Sequence, residues 1–254
     1  MKGDGTGANR LTNVVGSLSD PAFSPDGRRI AFTMRDTIEN SPQLIYVLNY
    51  DGTGLTQLTF GHFADYAASW SPDGSELAFT TDRVGFTASV FVMNADGTGM
   101  RAVVSDASTN GFASWSPAAN EILFQSTRGG VESEGVNRTT SSGDSIALVL
   151  SGLQPQWSST GSQILFECLA TKVCVSRTPE GAPIDTLPLD LGIGFIYAPK
   201  WSPDEQHIAY VLHIGSSDGP TQIFSASATD GSGVTQLTNG PGTSSAWWPD
   251  WTRH

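Results

Sequence analysis

The feature that most constrains this chain is an internal repeat. Pro21-Ala-Phe-Ser-Pro-Asp-Gly27 recurs as Ala68-Ser-Trp-Ser-Pro-Asp-Gly74, Ala113-Ser-Trp-Ser-Pro-Ala-Ala119, Pro155-Gln-Trp-Ser-Ser-Thr-Gly161 and Pro199-Lys-Trp-Ser-Pro-Asp-Glu205, and closes as Pro249-Asp-Trp-Thr252. The aromatic anchors Phe23, Trp70, Trp115, Trp157, Trp201 and Trp251 are 47, 45, 42, 44 and 50 residues apart. A period of roughly 40 to 50 residues marks an array of supersecondary units that bury their faces against one another. It leaves no room for a second domain.

Every unit has the same internal plan. Proline presets φ in the Ser-Pro-Asp-Gly turn, aspartate can bond its own backbone, and glycine takes the left-handed position without a steric cost. A short β-branched and aromatic strand follows: Arg29-Ile-Ala-Phe-Thr33, Glu76-Leu-Ala-Phe-Thr80, Glu121-Ile-Leu-Phe-Gln125, Gln163-Ile-Leu-Phe-Glu167 or His207-Ile-Ala-Tyr-Val211. A third strand (Leu44 to Asn49, Ser89 to Asn94, Gln222 to Ala226) leads to the hairpin signals Asp51-Gly52, Asp96-Gly97 and Asp230-Gly231. The fourth strand ends Gln57-Leu-Thr59 or Gln236-Leu-Thr238. No window sustains a 3.6-residue period. The expectation is an all-β chain, a single β-propeller of four-stranded antiparallel blades, because closing the stack into a ring removes its open ends. Five complete blades are expected at about 14–60, 61–104, 105–150, 151–190 and 191–242, with an incomplete sixth built from 1–13 and 243–254.

The unit (Pro/Ala)-x-Trp-Ser-Pro-Asp-Gly-x-x-Ile-Ala-Phe, followed by Tyr46-Val-Leu-Asn49 or Phe91-Val-Met-Asn94, then Asp-Gly-Thr-Gly and Leu-Thr, resembles the WD-like repeat of the bacterial TolB family. The likeness runs through nearly the whole chain. It implies a propeller and a non-enzymatic, exported scaffold in the periplasm or at the cell surface. The same repeat occurs in propellers that gate prolyl-oligopeptidase-type and tricorn-type peptidases, so that role stays open, as does a carbohydrate-active propeller. The third repeat departs from the pattern at Pro117-Ala-Ala-Asn120, and the third and fourth lack Asp-Gly-Thr-Gly.

Met1-Lys-Gly-Asp-Gly-Thr-Gly7 aligns with Met93-Asn-Ala-Asp-Gly-Thr-Gly99, so the chain begins at the end of a third strand. An outer strand is expected at Ala8 to Thr12 and an inner one at Ser244 to Thr252, with the two between them missing. The expectation is an N-terminally truncated piece of a longer protein; the alternative is a five-bladed ring with two spare strands.

Composition narrows the partners. Thirteen basic and 25 acidic residues give a net charge of −12, and the lysines are only Lys2, Lys172 and Lys200. Nucleic-acid affinity rests on clustered cations, so nucleic acid is not expected. The longest apolar run, Ile146 to Leu150, is far short of the roughly 20 residues a membrane-spanning helix needs. The opening residues carry no apolar stretch of the secretory type.

Strand order puts the two kinds of tight turn on one face and the long, varied loops on the other, where binding residues concentrate. The loops entering the inner strands carry His62, Phe63, Asp65 and Tyr66; Asn110 and Phe112; Phe195 and Tyr197; Trp247 and Trp248. Aromatics among a few polar groups suit a protein-binding surface and channel mouth; packing between blades is the alternative for several of them. The tryptophan anchors read as inter-blade core. Asp26, Asp73, Asp204, Asp51, Asp96 and Asp230 read as turn residues that could hold calcium weakly.

No catalytic, cofactor or zinc signature has its required context. Gly215-Ser-Ser-Asp-Gly219 lies in a strand-to-strand loop and not at a nucleophile elbow, and no helix follows the glycine-rich turns to meet a phosphate. If Ala170-Thr-Lys172 is the loop, Cys168 and Cys174 face each other across a hairpin, near enough for a disulfide and in keeping with an oxidising compartment; two small apolar residues are the alternative. Asn137-Arg-Thr139 fits a glycosylation sequon. A monomer is expected.

Overall fold

Each repeat folds outward from its first turn. In a computed structural model, which describes residues 1–85, 87–128, 134–168, 172–177, 180, 184–189, 196–213, 220–239 and 249–251, Ser24 Oγ donates to Asp26 Oδ1 at 2.6 Å and accepts from Arg29 N at 2.9 Å. Ser71 makes the same bonds to Asp73 and Glu76, and Ser202 to Asp204 and His207. The hydroxyl thus pins both ends of the turn and sets the register of the strands it joins. Gly27 and Gly74 take φ of 69° and 71° there. In the fifth repeat Glu205 adopts the left-handed conformation instead, at φ 58°, and its carboxylate reaches the preceding blade to accept from Ser159 Oγ and Thr160 N.

Among the described residues twenty strands form five antiparallel sheets, each ordered as in the chain. The first blade is β1 (Ser17–Phe23), β2 (Arg29–Arg35), β3 (Gln43–Asn49) and β4 (Thr56–Gln57); the second is β5 (Asp65–Trp70), β6 (Glu76–Thr81), β7 (Ser89–Asn94) and β8 (Arg101–Val104). The third comprises β9 (Asn110–Trp115), β10 (Glu121–Ser126), β11 (Gly135–Thr140) and β12 (Ala147–Ser151). The fourth comprises β13 (Leu153–Trp157), β14 (Ile164–Cys168), β15 (Lys172–Ser176) and β16 (Ile184–Thr186), and the fifth β17 (Ile196–Trp201), β18 (His207–His213), β19 (Thr221–Ser227) and β20 (Thr235–Gln236). The first strand of each blade is innermost, so β1, β5, β9, β13 and β17 stand side by side around the axis. There is no helix among the described residues, and none long and apolar enough to cross a membrane.

The core lies between blades. Trp70 packs with Ile45, Val47 and Leu58 of the first blade and Leu77 and Phe79 of its own. Trp115, Trp157 and Trp201 repeat the arrangement one blade further on each time. A buried tryptophan removes roughly 150–250 Å² from water, worth about 4–6 kcal/mol at the usual coefficient. These side chains are the mortar of the ring.

A second contact recurs around the ring. The hairpin glycine between the third and fourth strands lies on the outer edge of the preceding blade: a Cβ on Gly97 would meet Leu58 O at 2.8 Å, and one on Gly143 would meet Val103 O at 2.3 Å. Gly52 of the first blade sits this way on Leu11 O, and Gly5 on Leu237 O of the fifth. Asp4 and Thr6 close the Gly5 turn with the bonds seen at Asp51 and Thr53. Residues 1–12 therefore occupy a sixth place between the fifth and first blades. Residues 249–251 share it: Asp250 Oδ2 accepts from Phe23 N at 2.7 Å, and Gly3 lies against the Trp251 ring. Neither segment forms a strand, and the outer strand expected at Ala8 to Thr12 is absent: among the described residues no strand stands beside it to offer a ladder.

Two local expectations also change. Cys168 and Cys174 are bonded, but Cys168 stands opposite Lys172 and Cys174 opposite Phe166, so the bridge joins diagonal neighbours 5.8 Å apart at Cα. Asn137 is 2% exposed within β11 and donates to Gly135 O, which removes it as a glycan acceptor.

Candidate binding channel and loop face

The inner strands share a break in register. Between Tyr66 and Ser69, and at the matching point of each other blade, one residue bulges out of the ladder. Asp20, Ala67, Phe112, Gln154 and Ala198 sit there with φ of 49° to 53°, a left-handed conformation that costs a non-glycine residue about 1 kcal/mol or more. The bulge frees a backbone N–H, and a side chain of the preceding blade's second strand receives it. Ala67 N donates to Thr33 Oγ1 (3.2 Å), Phe112 N to Thr80 Oγ1 (3.0 Å), Gln154 N to Gln125 Oε1 (3.3 Å) and Ala198 N to Glu167 Oε1 (2.9 Å). The next residue in that column is Val211, which has no acceptor to offer.

From the bulges to the first turns the inner strands enclose a cavity of about 370 Å³. Phe23, Trp70, Trp115, Trp157 and Trp251 wall it with five prolines, while Ser69, Gln154 and Gln156 add polar groups. Its charge comes from Asp20, Lys200 and Asp250. Burial pushes the Lys200 ammonium below its usual range, against the pull of Asp250 and Asp20. Burial likewise raises both carboxyls, against the pull of Lys200. Among the described residues no ion pair within 4.0 Å joins the three.

At the long-loop end several polar groups turn inward. Asp65 is fully buried, accepting from Thr81 Oγ1 at 2.6 Å and Arg83 Nε at 3.0 Å. Arg83 also donates to Phe60 O and lies over the Phe63 ring at 5.1 Å. Asn110 is equally buried, bonded to Ser126, Asp106 and Ser108 O. Above them the loops present Val15, Ile38, Phe60, Phe63 and Val84 to solvent, with Phe60 64% exposed.

A family model for the TolB β-propeller domain matches residues 4–172, about two thirds of the chain. The chain belongs to the TolB β-propeller family. The TolB fold also appears among solved structures. A TolB from Agrobacterium tumefaciens described as putative superposes with TM-score 0.76 at 16% identity, over 95% of this chain and 88% of its own. TolB from Acinetobacter baumannii superposes with TM-score 0.71 at 20% identity, over 89% of this chain and 55% of its own. An oligogalacturonate lyase in complex with manganese gives TM-score 0.59 at 17% identity, over 88% and 65%. No curated protein matches the sequence significantly.

On this TolB framework the candidate residues separate. His62 is exposed on its loop. Tyr66 and Phe112 meet edge-on at 6.1 Å, and among the described members of the set Phe112 alone lines the cavity. Burial, with Asp20 and Asp82 nearby, raises the Tyr66 hydroxyl. Tyr197 is half-buried, edge-on to His213 at 5.0 Å. Phe195, Trp247 and Trp248 lie outside the described residues. Asp65 and Asn110 hold their loops from within.

The hairpin carboxylates Asp51, Asp96 and Asp230 each bond the Thr or Ser two residues on, and no group of three or more potential metal ligands occurs among the described residues. Sequence reasoning missed the charged trio. For two of the three the signal is the column before each anchor aromatic, which reads Ala22, Ser69, Ser114, Gln156, Lys200 and Asp250, small or neutral residues and then two charges; Asp20 stands at a bulge instead.

Proposed function

We propose that this TolB-family propeller is a non-enzymatic scaffold that docks a protein partner on its long-loop face and channel mouth. The observation that carries the reading is the placement of Val15, Ile38, Phe60, Phe63 and Val84, all 42% exposed or more, in the long loops of the first two blades. Exposed apolar side chains gathered on loops mark an interaction surface. Arg83 braces the Phe60–Phe63 loop from Asp65 below, and a loop held in one shape loses little entropy on docking. The Cys168–Cys174 bridge supports a periplasmic or extracellular location.

The test compares the wild type with a Phe60→Ser/Phe63→Ser variant, immobilised and challenged with periplasmic extract after thermal melts establish an intact fold. A partner retained by the wild type and lost by the variant is expected; equal recovery overturns the reading. The rival is a carbohydrate-active channel, favoured by Lys200 between Asp20 and Asp250, since a lysine of lowered pKa can act as a base. Unsaturated product from oligogalacturonate, abolished by Lys200→Met, would replace the scaffold reading.

A further inference from the structure

The four side chains that receive a bulge N–H differ in one respect that the shared geometry makes visible. Thr33, Thr80 and Gln125 are neutral at every physiological pH, whereas Glu167 holds a carboxyl in the same position. It is 8% exposed, at the end of β14, with Oε1 on Ala198 N at 2.9 Å. We propose that Glu167 makes the joint between the fourth and fifth blades a proton-operated latch, tight when the carboxyl is protonated and loosened when it ionises.

The neighbourhood supplies the mechanism. Glu134, at the entry to β11, adds a like charge. On β17, Tyr197 lies beside Glu167, and it meets His213 of β18 edge-on. Of the other charged groups on the packed strands, Lys172 sits at the exposed start of β15 and Lys200 at the channel end of β17. In the acid form the C=O keeps the Ala198 bond and no charge is buried. In the ionised form the bond is charge-assisted, but the anion is left in a poorly solvated site facing Glu134 without a cation within 4.0 Å among the described residues. Burial first, then Glu134, pushes the carboxyl up to about 7. The folded value thus lies above the unfolded one. Stability is fully present below the unfolded value of 4.5 and is lost as pH rises through about 7.

Amide NMR of the full chain reads the latch directly. Between about pH 5.5 and 8.5 the Ala198 amide shift is expected to follow a single step with midpoint near 7, while the Phe112 and Gln154 amides show no step there. Glu167→Gln, which copies the arrangement Gln125 already makes, should flatten the Ala198 profile and move the thermal midpoint least with pH. Glu134→Gln should keep the step and lower its midpoint. A flat Ala198 profile in the wild type, or a step that survives in Glu167→Gln, overturns the proposal.

Discussion

The joint between the first and second blades and the seam between the fifth and the first do the same job with different means. At the joint, Trp70 is sunk into both blades, donates Nε1 to Ala22 O and carries the Arg29 guanidinium 4.5 Å over its ring, while Thr33 catches the Ala67 N–H. At the seam the hairpin glycines Gly5 and Gly52 keep the contact made at the regular joints, but no strand ladder runs through the described residues. Trp251 is only half-buried there, and Phe23 N relies on Asp250. The comparison teaches that spacing around the ring is set by the turns, whereas its strength comes from the inner tryptophans and the ladders behind them.

The sharpest way to break this contrast is to remove the aromatic at each place. Trp70→Ala should cost about 3–5 kcal/mol in urea unfolding, and Trp251→Ala about 1–2 kcal/mol, because a half-buried ring leaves less of a cavity. Equal losses would mean that the seam is as well packed as the joint. Next come the glycines. Gly97 and Gly52 share φ near 87° and 86°, and a Cβ would approach Leu58 O to 2.8 Å and Leu11 O to 2.3 Å. Gly97→Ala should nevertheless cost more, about 2–3 kcal/mol against about 1 kcal/mol, since Leu58 follows a paired strand and donates its N–H to Ile45 O, whereas Leu11 belongs to no strand.

Smaller again is the loss of a bulge acceptor. Thr80→Val leaves the Phe112 N–H without its partner and should cost about 1–2 kcal/mol, with Asp250→Asn at the seam close to 1 kcal/mol. The smallest effect concerns the turn carboxylates. Hydrogen bonds from Ser71 and Ser75 hold Asp73 down at about 2, against 3.8 unperturbed. The folded value lies below the unfolded one, so this stability is present above 3.8 and lost as pH falls towards 2. Thermal midpoints should drop over that interval. Asp4→Asn and Asp96→Asn should lessen the drop equally, because both turns are closed by their own residues and do not sense the seam.

How much of this is legible in the sequence depends on whether the cause is local. The Ser-Pro-Asp-Gly turns carry their chemistry within a few residues, and the strands after them were readable; Ser89–Asn94 matches to the residue. Asp65 and Asn110 look like loop-borne binding groups because their partners, Thr81 with Arg83 and Ser126, lie 16 to 18 residues away. The cysteine register failed for a related reason: a diagonal bridge and a directly opposed one differ only by where a three-residue loop begins, which composition does not distinguish. The bulges left no trace, since the five residues that adopt them have no side-chain chemistry in common.

The indifference of the bulge to the side chain it carries bears on how such a ring diversifies. The left-handed turn of each inner strand is imposed by its neighbours, in four of the five with a catch supplied from the blade before, so the residue that occupies it is released from any duty to the fold. Aspartate, alanine, phenylalanine, glutamine and alanine stand in five equivalent sockets around one axis. The lining of the channel can be rewritten one socket at a time while the architecture stays constant, which gives the lineage a ready-made keyhole whose wards are interchangeable.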